Sequence, residues 1–415
     1  MPIFLVKGGK SLEGEIEVSG SKNASLPALA ASLLFKNKVE FQNLPAIEDI
    51  KRMKELLENI KQGEFNYEIA KQIRASILAV GPALARYGKA VFPHPGGCVI
   101  GARPIDVFLD GWKAMGATFS EILPSESNKI NSISAYEIKS FGGLKGCDYT
   151  FRTPSVTGTE GLMMTAVLAH GETTLRNAAM EPEIFYLAEF LNKNGAQISG
   201  AGTHTISING RDGKLLEGNM PFCAPPDRIE AGSFLVLGAL LAKNLVIKNF
   251  PADELSALLT ILKAAGVEFA YSTGKAGILT LKQVAALRAV NIKTQEYPGF
   301  PTDLQAPFAI LATQAEGASM IHETIFEGRL NYVEHLNRMG AKITLCDPHR
   351  AIIYGASPLK GLRLESPDIR AGLAFLIAAL VAEGDSTIGN IYQIDRGYEK
   401  IDKRLNAIGA DIKRI

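Results

Sequence analysis

The sequence predicts an α/β protein built from six copies of one repeat, arranged as two groups of three. Three features along the 415 residues predict this class. A helix that ends in glycine recurs, a second helix is apolar nearly all round, and short β-branched stretches typical of strands lie between the helices. Each repeat therefore runs helix, strand, helix, strands.

The glycine-ended helix is clear in five of the repeats. An amphipathic segment closes in Gly-Ala or Gly-Val, a strand-like stretch follows, and the glycines lie roughly 70 to 80 residues apart. Glycine is the usual residue just beyond a helix C-terminus, because it adopts the left-handed conformation without a steric penalty. We therefore predict helix ends at Gly116, Gly195, Gly266, Gly340 and Gly409.

Upstream of each glycine lies the second helix, as in EAGSFLVLGALLA and IRAGLAFLIAALVA. A helix that is apolar all round is typical of burial on every side. Each of these helices is preceded by a proline next to Ser, Thr or Asp, the pattern of a helix start with a side-chain cap. The expected capping residues are Ser155, Asp227, Asp303 and Asp368.

The N-terminal repeat, which begins SKNASLPALA, lacks the Gly-Ala ending. From the end of its amphipathic helix at Ile60 to the next buried helix at Arg74, the chain has roughly half the length that the other repeats have. We predict that this first repeat has lost a strand or a hairpin.

Charge and composition exclude several classes of protein. Lys+Arg 44 against Asp+Glu 43 leave a net charge of +1, which argues against a nucleic-acid-binding protein. The longest apolar stretches are shorter than the ~20 residues of a membrane-spanning helix. The N-terminus has no secretory signal pattern. We expect a cytoplasmic protein that binds neither nucleic acid nor membrane.

Metal and cofactor motifs are not found. The 4 cysteines form no CxxC pair and the 6 histidines no HExxH pattern. Neither GxGxxG nor GxxxxGK[ST] occurs. We therefore expect no metal and no cofactor.

Basic residues recur at two places in the repeat. Lys22 with Asn23, Arg74, Arg228 and Arg370 lie at or near the head of the buried helix, and Arg103, Arg329 and Arg396 lie near the head of the glycine-ended helix. A helix N-terminus is already partly positive, so extra cations there favour a bound anion. This recurrence predicts a site for a small polyanionic ligand. The alternative is that the arginines pair with neighbouring acids, namely Asp106, Glu327, Asp368 and Asp395.

One cysteine stands apart from the others. Cys98 lies in the segment PGGCVIGARPID, between glycines and five residues before Arg103, surroundings that lower a thiol pKa and make the thiol reactive. The alternative is a structural cysteine, since a free cysteine usually behaves as a small buried apolar residue. We expect Cys147, Cys223 and Cys346 to be of that buried kind.

Several of these segments together resemble a known family. SGSKNASLPALAASLL, RASILAVGP, PGGCVIGARPID, NAAMEPEI, PDRIEAGSFLV, YPGFPTDLQA, ETIFEGR and IDRGYEKI closely resemble the bacterial UDP-N-acetylglucosamine 1-carboxyvinyltransferases. These enolpyruvyl transferases begin peptidoglycan precursor synthesis. The match covers essentially the whole chain, in order.

The resemblance implies a two-domain inside-out α/β barrel. Each domain would hold three βαβαββ-type repeats, with helices inside and sheets outside, and the active site would lie in the interdomain cleft. The first domain would span residues 22–224, and the second would combine residues 1–21 with 225–415.

The resemblance also implies the substrates and their contacts. The family transfers the enolpyruvyl group of phosphoenolpyruvate to the 3′-hydroxyl of UDP-N-acetylglucosamine by addition and elimination, releasing phosphate. Lys22, Arg103 and Arg396 would face the phosphate, and Arg329 and Arg370 the carboxylate. Asp303 matches the residue proposed as the base, and Cys98 the proton donor. The sugar would contact Asn23, Arg74, Asp303 and Ile325, and the uridine diphosphate would contact Arg103, Pro104, Ile105, Asp106, Val107, Thr153, Pro154, Ser155 and Val156.

Three positions depart from the family pattern, because Phe108, Met180 and Gly328 replace a histidine, an arginine and an asparagine.

Two rival functions remain. A shikimate-pathway enolpyruvyl transferase would share the fold, but the Cys98 loop and the Lys22-Asn23 pair favour the amino sugar. A regulator without turnover would be expected to lack Cys98, Asp303 or Arg396, and all three are present.

Overall fold

The computed structural model describes residues 2–96, 104–122, 135–272 and 277–415. These residues form two compact units. The N-terminal unit comprises residues 21–96 and 104–225, and the C-terminal unit comprises residues 2–20 and Pro226–Ile415. Helices and strands alternate along both, so the predicted α/β class is confirmed.

The helices and strands of the described segments are as follows. The α-helices are α1 (Lys22–Ala30), α2 (Glu48–Glu58), α3 (Tyr67–Gln72), α4 (Val80–Tyr87), α5 (Asp106–Ala114), α6 (Val156–Ala166), α7 (Pro182–Lys193), α8 (Arg228–Leu241), α9 (Ser256–Ala264), α10 (Gln305–Gln314), α11 (Val333–Arg338), α12 (Ile369–Val381), α13 (Tyr392–Asp395) and α14 (Ile401–Asn406). The strands are β1 (Phe4–Lys7), β2 (Leu12–Glu17), β3 (Phe41–Gln42), β4 (Lys89–Pro93), β5 (Thr118–Ile122), β6 (Ala135–Lys139), β7 (Asp148–Thr150), β8 (Glu172–Arg176), β9 (Gln197–Ser199), β10 (Thr205–Asn209), β11 (Phe222–Cys223), β12 (Ala242–Lys248), β13 (Phe269–Tyr271), β14 (Ile278–Lys282), β15 (Ile292–Lys293), β16 (Gly317–His322), β17 (Lys342–Asp347), β18 (Arg350–Gly355), β19 (Arg363–Glu365), β20 (Asp385–Gly389) and β21 (Ile412–Arg414). Short 3₁₀ helices cover Ala31–Leu34, Arg74–Ala79, Ala252–Leu255 and Thr302–Leu304.

The C-terminal unit contains three sheets of identical strand order. They run β2-β12-β14-β13, β15-β16-β18-β17 and β19-β20-β1-β21. In each sheet the first two strands are parallel and the remaining pairs are antiparallel. Because β1 and β2 complete two of these sheets, the first 20 residues of the chain fold with its C-terminal half.

The N-terminal unit repeats the pattern less completely. The sheet β7-β8-β10-β9 has the same order, whereas β4-β6-β5 has three described strands and β11-β3 has two. Between α2 and α3 the chain forms no strand and makes two isolated bridges, one from Lys61 to Glu64 and one from Glu64 to Val91 of β4. The predicted loss of a strand or hairpin in the first repeat is therefore confirmed.

The predicted burial of the apolar helices is also confirmed. In the C-terminal unit α8, α10 and α12 pack against one another, and nearly every residue of each is buried. In the N-terminal unit α6 is buried to the same degree. Full burial of a Leu, Ile or Phe side chain contributes about 1.5–3 kcal/mol, so these helices supply much of the core. In the described part of the chain no helix combines the length and apolarity that a membrane span requires.

Three of the four expected helix caps are confirmed. Ser155 accepts from the Gly158 amide, and Asp227 and Asp368 each accept from two amides of the first turn. The expectation for Asp303 is wrong. An extra 3₁₀ turn, Thr302–Leu304, precedes α10, so that the N-cap position passes to Leu304 and Asp303 lies inside the turn. Its carboxylate is therefore directed to other partners, described below.

The predicted helix ends at the five repeated glycines are confirmed. All five have positive φ, from 87° at Gly116 to 106° at Gly409. The structure adds a partner to this turn that the sequence analysis missed. In three repeats an asparagine lies three residues before the glycine, and its side chain bonds the backbone of an isoleucine three residues after the glycine. Asn337, for example, donates to the Ile343 carbonyl and accepts from the Ile343 amide, each at 2.9 Å. Asn192 with Ile198 and Asn406 with Ile412 form the same pair of bonds.

We predict that Asn337→Ala lowers the stability of the C-terminal unit by about 1–2 kcal/mol, because the amide and carbonyl of Ile343 both lose a partner. The check is the urea midpoint measured by circular dichroism. Asn337→Asp is the matched control. It keeps the acceptor for the Ile343 amide but loses the donor, so its midpoint should lie between those of the wild type and Asn337→Ala. An unchanged midpoint for Asn337→Ala would contradict the prediction.

Candidate functional site

Two buried arginines converge on one carboxylate in the C-terminal unit. Asp303 Oδ1 accepts from Arg329 Nη2, and Asp303 Oδ2 accepts from Arg370 Nη2 at 2.8 Å and Nε at 3.0 Å. Arg329 and Arg370 are each only 6% exposed. We call Asp303, Arg329 and Arg370 the arginine cluster.

The members of the arginine cluster come from three separate elements. Asp303 lies in the 3₁₀ turn Thr302–Leu304, Arg370 is the second residue of α12, and Arg329 lies in the turn that precedes α11. A buried guanidinium that loses its only counter-charge destabilises a protein by about 3–5 kcal/mol. The Asp303 carboxylate is the counter-charge of both guanidiniums in this structure, and the small polyanionic ligand predicted at these helix heads stays a prediction.

A buried tyrosine completes the surroundings of Arg370. Arg370 Nη1 donates to the Tyr398 hydroxyl at 2.9 Å, and Tyr398 is 1% exposed. Burial raises the pKa of Tyr398 to about 12, although the nearby Arg370 charge opposes the shift. Burial lowers the pKa of the Arg370 guanidinium, but Asp303 and Tyr398 outweigh it, so that its pKa lies above the usual value. Arg370 is thus a fixed cation with an oriented planar fork.

Arg329 and Arg370 each pair with an acid of the protein, as the alternative supposed, but the acid that pairs with both is Asp303. The guanidiniums of both contact Asp303, and Asp368 binds only backbone amides at the start of α12. Near Arg396, the Asp395 carboxylate is engaged by both terminal nitrogens of Arg414, each at 2.8 Å. Arg396 itself donates to Gln393 at 3.0 Å.

Within the N-terminal unit, Lys22 forms a buried ion pair. Its Nζ lies 2.8 Å from Asp49 Oδ2, with the two side chains 11% and 5% exposed. Lys22 is the first residue of α1, where Ser21 caps the helix, and Asp49 is in the first turn of α2. A lysine at a helix N-terminus is electrostatically unfavourable without an anion, so Asp49 stabilises its charge there.

Two more of the predicted cations occupy helix starts. Arg74 begins the 3₁₀ helix Arg74–Ala79 and donates to the Pro95 carbonyl at 3.4 Å. Burial, together with the Arg74 charge, lowers the pKa of His94. Arg228 begins α8, and its guanidinium lies 5.8 Å from the centre of the Tyr297 ring.

The remaining predicted contact residues are near the surface or on loops. Asn23, Ile325, Pro154, Ser155, Val156 and Val107 are half-buried, Pro104, Asp106 and Thr153 are exposed, and Ile105 is buried. Cys98 and Arg103 lie outside the described residues.

The expectation of three buried cysteines is wrong. Cys223 and Cys346 are exposed and Cys147 is half-buried. Cys346 lies on β17, an edge strand of its sheet, and Cys223 lies in the two-stranded sheet β11-β3. Each of these strands has a neighbouring strand on one side only, so the apolar character of a thiol is not enough to bury it here.

The sequence analysis missed three buried polar residues that contact the predicted site residues: Tyr398, Asp49 and Glu323. Asp49 lies next to Ile50 and four residues before Met53, on the buried face of α2. Glu323 continues the alternation of Ser319 and Ile321, both buried on β16. A charged residue at an inward position of a periodic pattern was the available signal.

Comparison with known proteins places the chain in a family. A protein-family model described as EPSP synthase (3-phosphoshikimate 1-carboxyvinyltransferase) matches residues 6–405. The chain therefore belongs to the enolpyruvyl transferase family. Among full-length relatives, it is 41% identical over 435 residues to the UDP-N-acetylglucosamine 1-carboxyvinyltransferase of Sulfurimonas denitrificans, covering 100% of both chains. It is 42% identical over 439 residues to the enzyme of the same name from Sorangium cellulosum, covering 100% of this chain and 99% of that one. The resemblance predicted from the sequence is confirmed.

Solved structures share the fold. The enolpyruvyl transferase NikO from Streptomyces tendae superimposes with a TM-score of 0.86 at 23% identity, covering 100% of this chain and 98% of that chain. EPSP synthase from Acinetobacter baumannii gives a TM-score of 0.71 at 19% identity and covers 100% of both chains. The predicted fold class, with helices inside and sheets outside in each set of repeats, is confirmed.

The raised pKa of Tyr398 predicts a pH-dependent contribution to stability. The folded pKa lies above the usual value of 10.0, so the contribution of the buried phenol is full below pH 10 and is lost as the pH rises through about 12. Tyr398→Phe should be less stable than wild type at pH 9 by about 1–2 kcal/mol, because Arg370 loses an acceptor. The gap should shrink by pH 11.5, as measured by urea midpoints. Tyr354→Phe, at an exposed tyrosine of β18, is the control. A gap that stays constant with pH would count against the assignment.

Proposed function

We propose that this chain transfers the enolpyruvyl group of phosphoenolpyruvate to the 3′-hydroxyl of UDP-N-acetylglucosamine, releasing phosphate. The observation that carries the proposal is the arginine cluster, in which two buried guanidiniums already hold a carboxylate. Planar guanidiniums bind carboxylates and phosphates through paired hydrogen bonds, and phosphoenolpyruvate carries both groups. The names of the full-length relatives support the same activity.

In the addition step, the sugar oxygen bonds to the carbon that carries the phosphate, and a proton is added to the neighbouring methylene carbon. In the elimination step, the bond to phosphate breaks and a proton leaves that methyl group, restoring the double bond. The reaction therefore needs a base for the sugar hydroxyl, a proton donor for the carbon and cations for the departing phosphate. Asp303 would be the base, Cys98 the proton donor, and Lys22, Arg103 and Arg396 the phosphate contacts.

The arginine cluster would hold Asp303 before the substrate binds and the substrate carboxylate afterwards, and this exchange would make Asp303 a base. While Asp303 lies between two guanidiniums, its charge is stabilised and it is a poor proton acceptor. A substrate carboxylate that binds Arg329 and Arg370 would take over those hydrogen bonds. Asp303 would then lose two cationic partners and accept the proton of the sugar hydroxyl more readily. Arg370 keeps its orientation during this exchange, because Tyr398 holds it from another side.

The nucleotide sugar would be held by residues outside the arginine cluster. Asn23, Arg74 and Ile325 would contact the sugar, and residues 103–107 and 153–156 the uridine diphosphate. Ser155 caps α6, and the uncommitted amides of a helix start are natural donors to diphosphate oxygens. The activity would place the chain in the cytoplasm at the first committed step of peptidoglycan precursor synthesis, with no cofactor.

The substrate can be tested directly. We expect phosphate release from phosphoenolpyruvate in the presence of UDP-N-acetylglucosamine and none above background with shikimate 3-phosphate. The reverse preference would assign the chain to the shikimate-pathway activity. Binding of the nucleotide sugar without any phosphate release would favour a regulator.

Cys98 is expected to be the reactive cysteine. Cys98→Ala should lower kcat by about a hundredfold or more, because the proton donor is removed, and should resist alkylation by an epoxide while still binding the nucleotide sugar. The check is steady-state phosphate release together with intact-protein mass spectrometry. Cys346→Ala is the matched control, since Cys346 is exposed on β17 and should leave both properties unchanged. A fully active Cys98→Ala variant would refute the assignment.

Arg396 is expected to act on the departing phosphate. Arg396→Lys keeps the charge but loses the planar fork, so kcat/KM should fall by about tenfold or more without loss of thermal stability. Arg414→Lys provides the contrast, because Arg414 pairs with Asp395 and Asp402. That variant should melt at a lower temperature with unchanged turnover per folded molecule. If Arg396→Lys behaves like Arg414→Lys, its role is structural.

A further inference from the structure

One carboxylate beside the arginine cluster has no role in the proposed chemistry. Glu323 follows β16 and is 0% exposed. Its Oε1 accepts from the Ile325 amide at 2.8 Å, the Phe326 amide at 3.2 Å and the Thr294 hydroxyl at 3.0 Å. Its Oε2 accepts from the Thr302 hydroxyl at 2.8 Å. Both oxygens therefore have hydrogen-bond partners inside the protein.

The proposed function assigns Ile325 and Asp303 to the sugar, and these four bonds connect Ile325 with the residue next to Asp303. On one side is the backbone of Ile325, and on the other is Thr302, the residue directly before Asp303. Thr302 Oγ1 also accepts from Arg329 Nε at 3.3 Å, so Glu323 reaches the arginine cluster through a single hydroxyl. No other residue in the described segments is recorded with bonds to both Thr302 and the Ile325 amide.

The four donors around this position match a carboxylate. The Ile325 and Phe326 amides can only donate. A carboxylate can only accept, so the Thr294 and Thr302 hydroxyls donate to Glu323, while their oxygens accept from the Thr324 amide at 2.9 Å and from Arg329. Four donors thus meet an acceptor-only group. An amide at this position would place its NH₂ against at least one of them.

Other hydrogen bonds, which do not involve the Glu323 carboxylate, also fix the backbone at 323–324. The Glu323 amide donates to the His349 carbonyl at 2.7 Å, and His349 Nδ1 lies 2.8 Å from the Glu323 carbonyl. Thr324 Oγ1 donates to the Thr294 carbonyl. Removing the charge of Glu323 therefore leaves the backbone at 323–324 anchored, and the change should fall on residues 325–326 and on Thr302.

We propose that Glu323 is a positioning residue for the amino-sugar half of the substrate, setting the Ile325 backbone and the Asp303 turn at a fixed separation. The proposal rests on the proposed function, in which Ile325 and Asp303 contact the sugar. Glu323 touches no substrate in this account. It acts through Thr302 on one side and through the Ile325 and Phe326 amides on the other.

The test compares Glu323→Gln with wild type, using UDP-N-acetylglucosamine and UDP as separate calorimetric probes. The UDP contacts proposed at 103–107 and 153–156 belong to other parts of the chain, so the UDP affinity should be unchanged. The affinity for the nucleotide sugar should fall about tenfold or more, toward that of UDP. In steady state, KM for UDP-N-acetylglucosamine should rise and kcat should fall.

A second pair of variants keeps the test decisive if Glu323→Gln folds poorly. Thr302→Val has nearly the volume of threonine but cannot bridge Glu323 to Arg329, and it should reproduce the fall in kcat. Thr302→Ser restores the hydroxyl and should recover most of the activity. A merely structural role would change melting temperature without separating the two probes or the two Thr302 variants.

The outcomes distinguish this inference from the proposed function. Equal losses for UDP and UDP-N-acetylglucosamine, or no loss for either, in a wild-type enzyme that turns over the nucleotide sugar would overturn the role of Glu323 alone. A wild-type protein that neither binds nor turns over UDP-N-acetylglucosamine would overturn the proposed function and this inference with it. Selective loss of the sugar contribution supports the proposal.

Discussion

The need to cover helices that are apolar on every side determines the architecture of the C-terminal unit. Helices α8, α10 and α12 pack together, and each is shielded by its own sheet. A charge buried in the middle of these helices would be costly. The charged residues of α8 and α12 therefore lie in the first turn, at Arg228, Glu230 and Arg370. The arginine cluster forms at the heads of α10 and α12, where Asp303 and Arg370 lie.

Burying cations at helix heads creates an electrostatic requirement that the protein meets internally. A helix start repels a cation, and burial removes the water that would screen it. Asp303 provides the compensating charge for Arg329 and Arg370, and Asp49 provides it for Lys22. Any anionic substrate at these cations must therefore replace or share an existing carboxylate partner. In the proposed function, this competition would link substrate binding to the protonation chemistry of Asp303.

Polar residues behind the site carry a second requirement, which is full satisfaction of their hydrogen bonds. Tyr398 orients Arg370, and Glu323 joins Thr302 to the loop at 325–326. A partly satisfied buried carboxylate is costly, so such a network favours one geometry over all others. Rigidity of this kind suits a site that must align a hydroxyl, a carbon–carbon double bond and a phosphate.

The sequence by itself determined the repeat, the buried helices, the glycine-ended turns and the recurring cations at helix heads. These features depend on local periodicity and on residues whose backbone preferences hold in any context, such as the five glycines of positive φ. The resemblance in its motifs also identified the family. Tertiary structure alone decided which groups meet. Asp303 reads as a helix cap in its local sequence, and only the extra turn at Thr302–Leu304 sends it to Arg329 and Arg370. The partners of Lys22, Arg370 and Glu323 could not be read from the sequence, because hydrogen bonds across repeats depend on distances that no local pattern encodes.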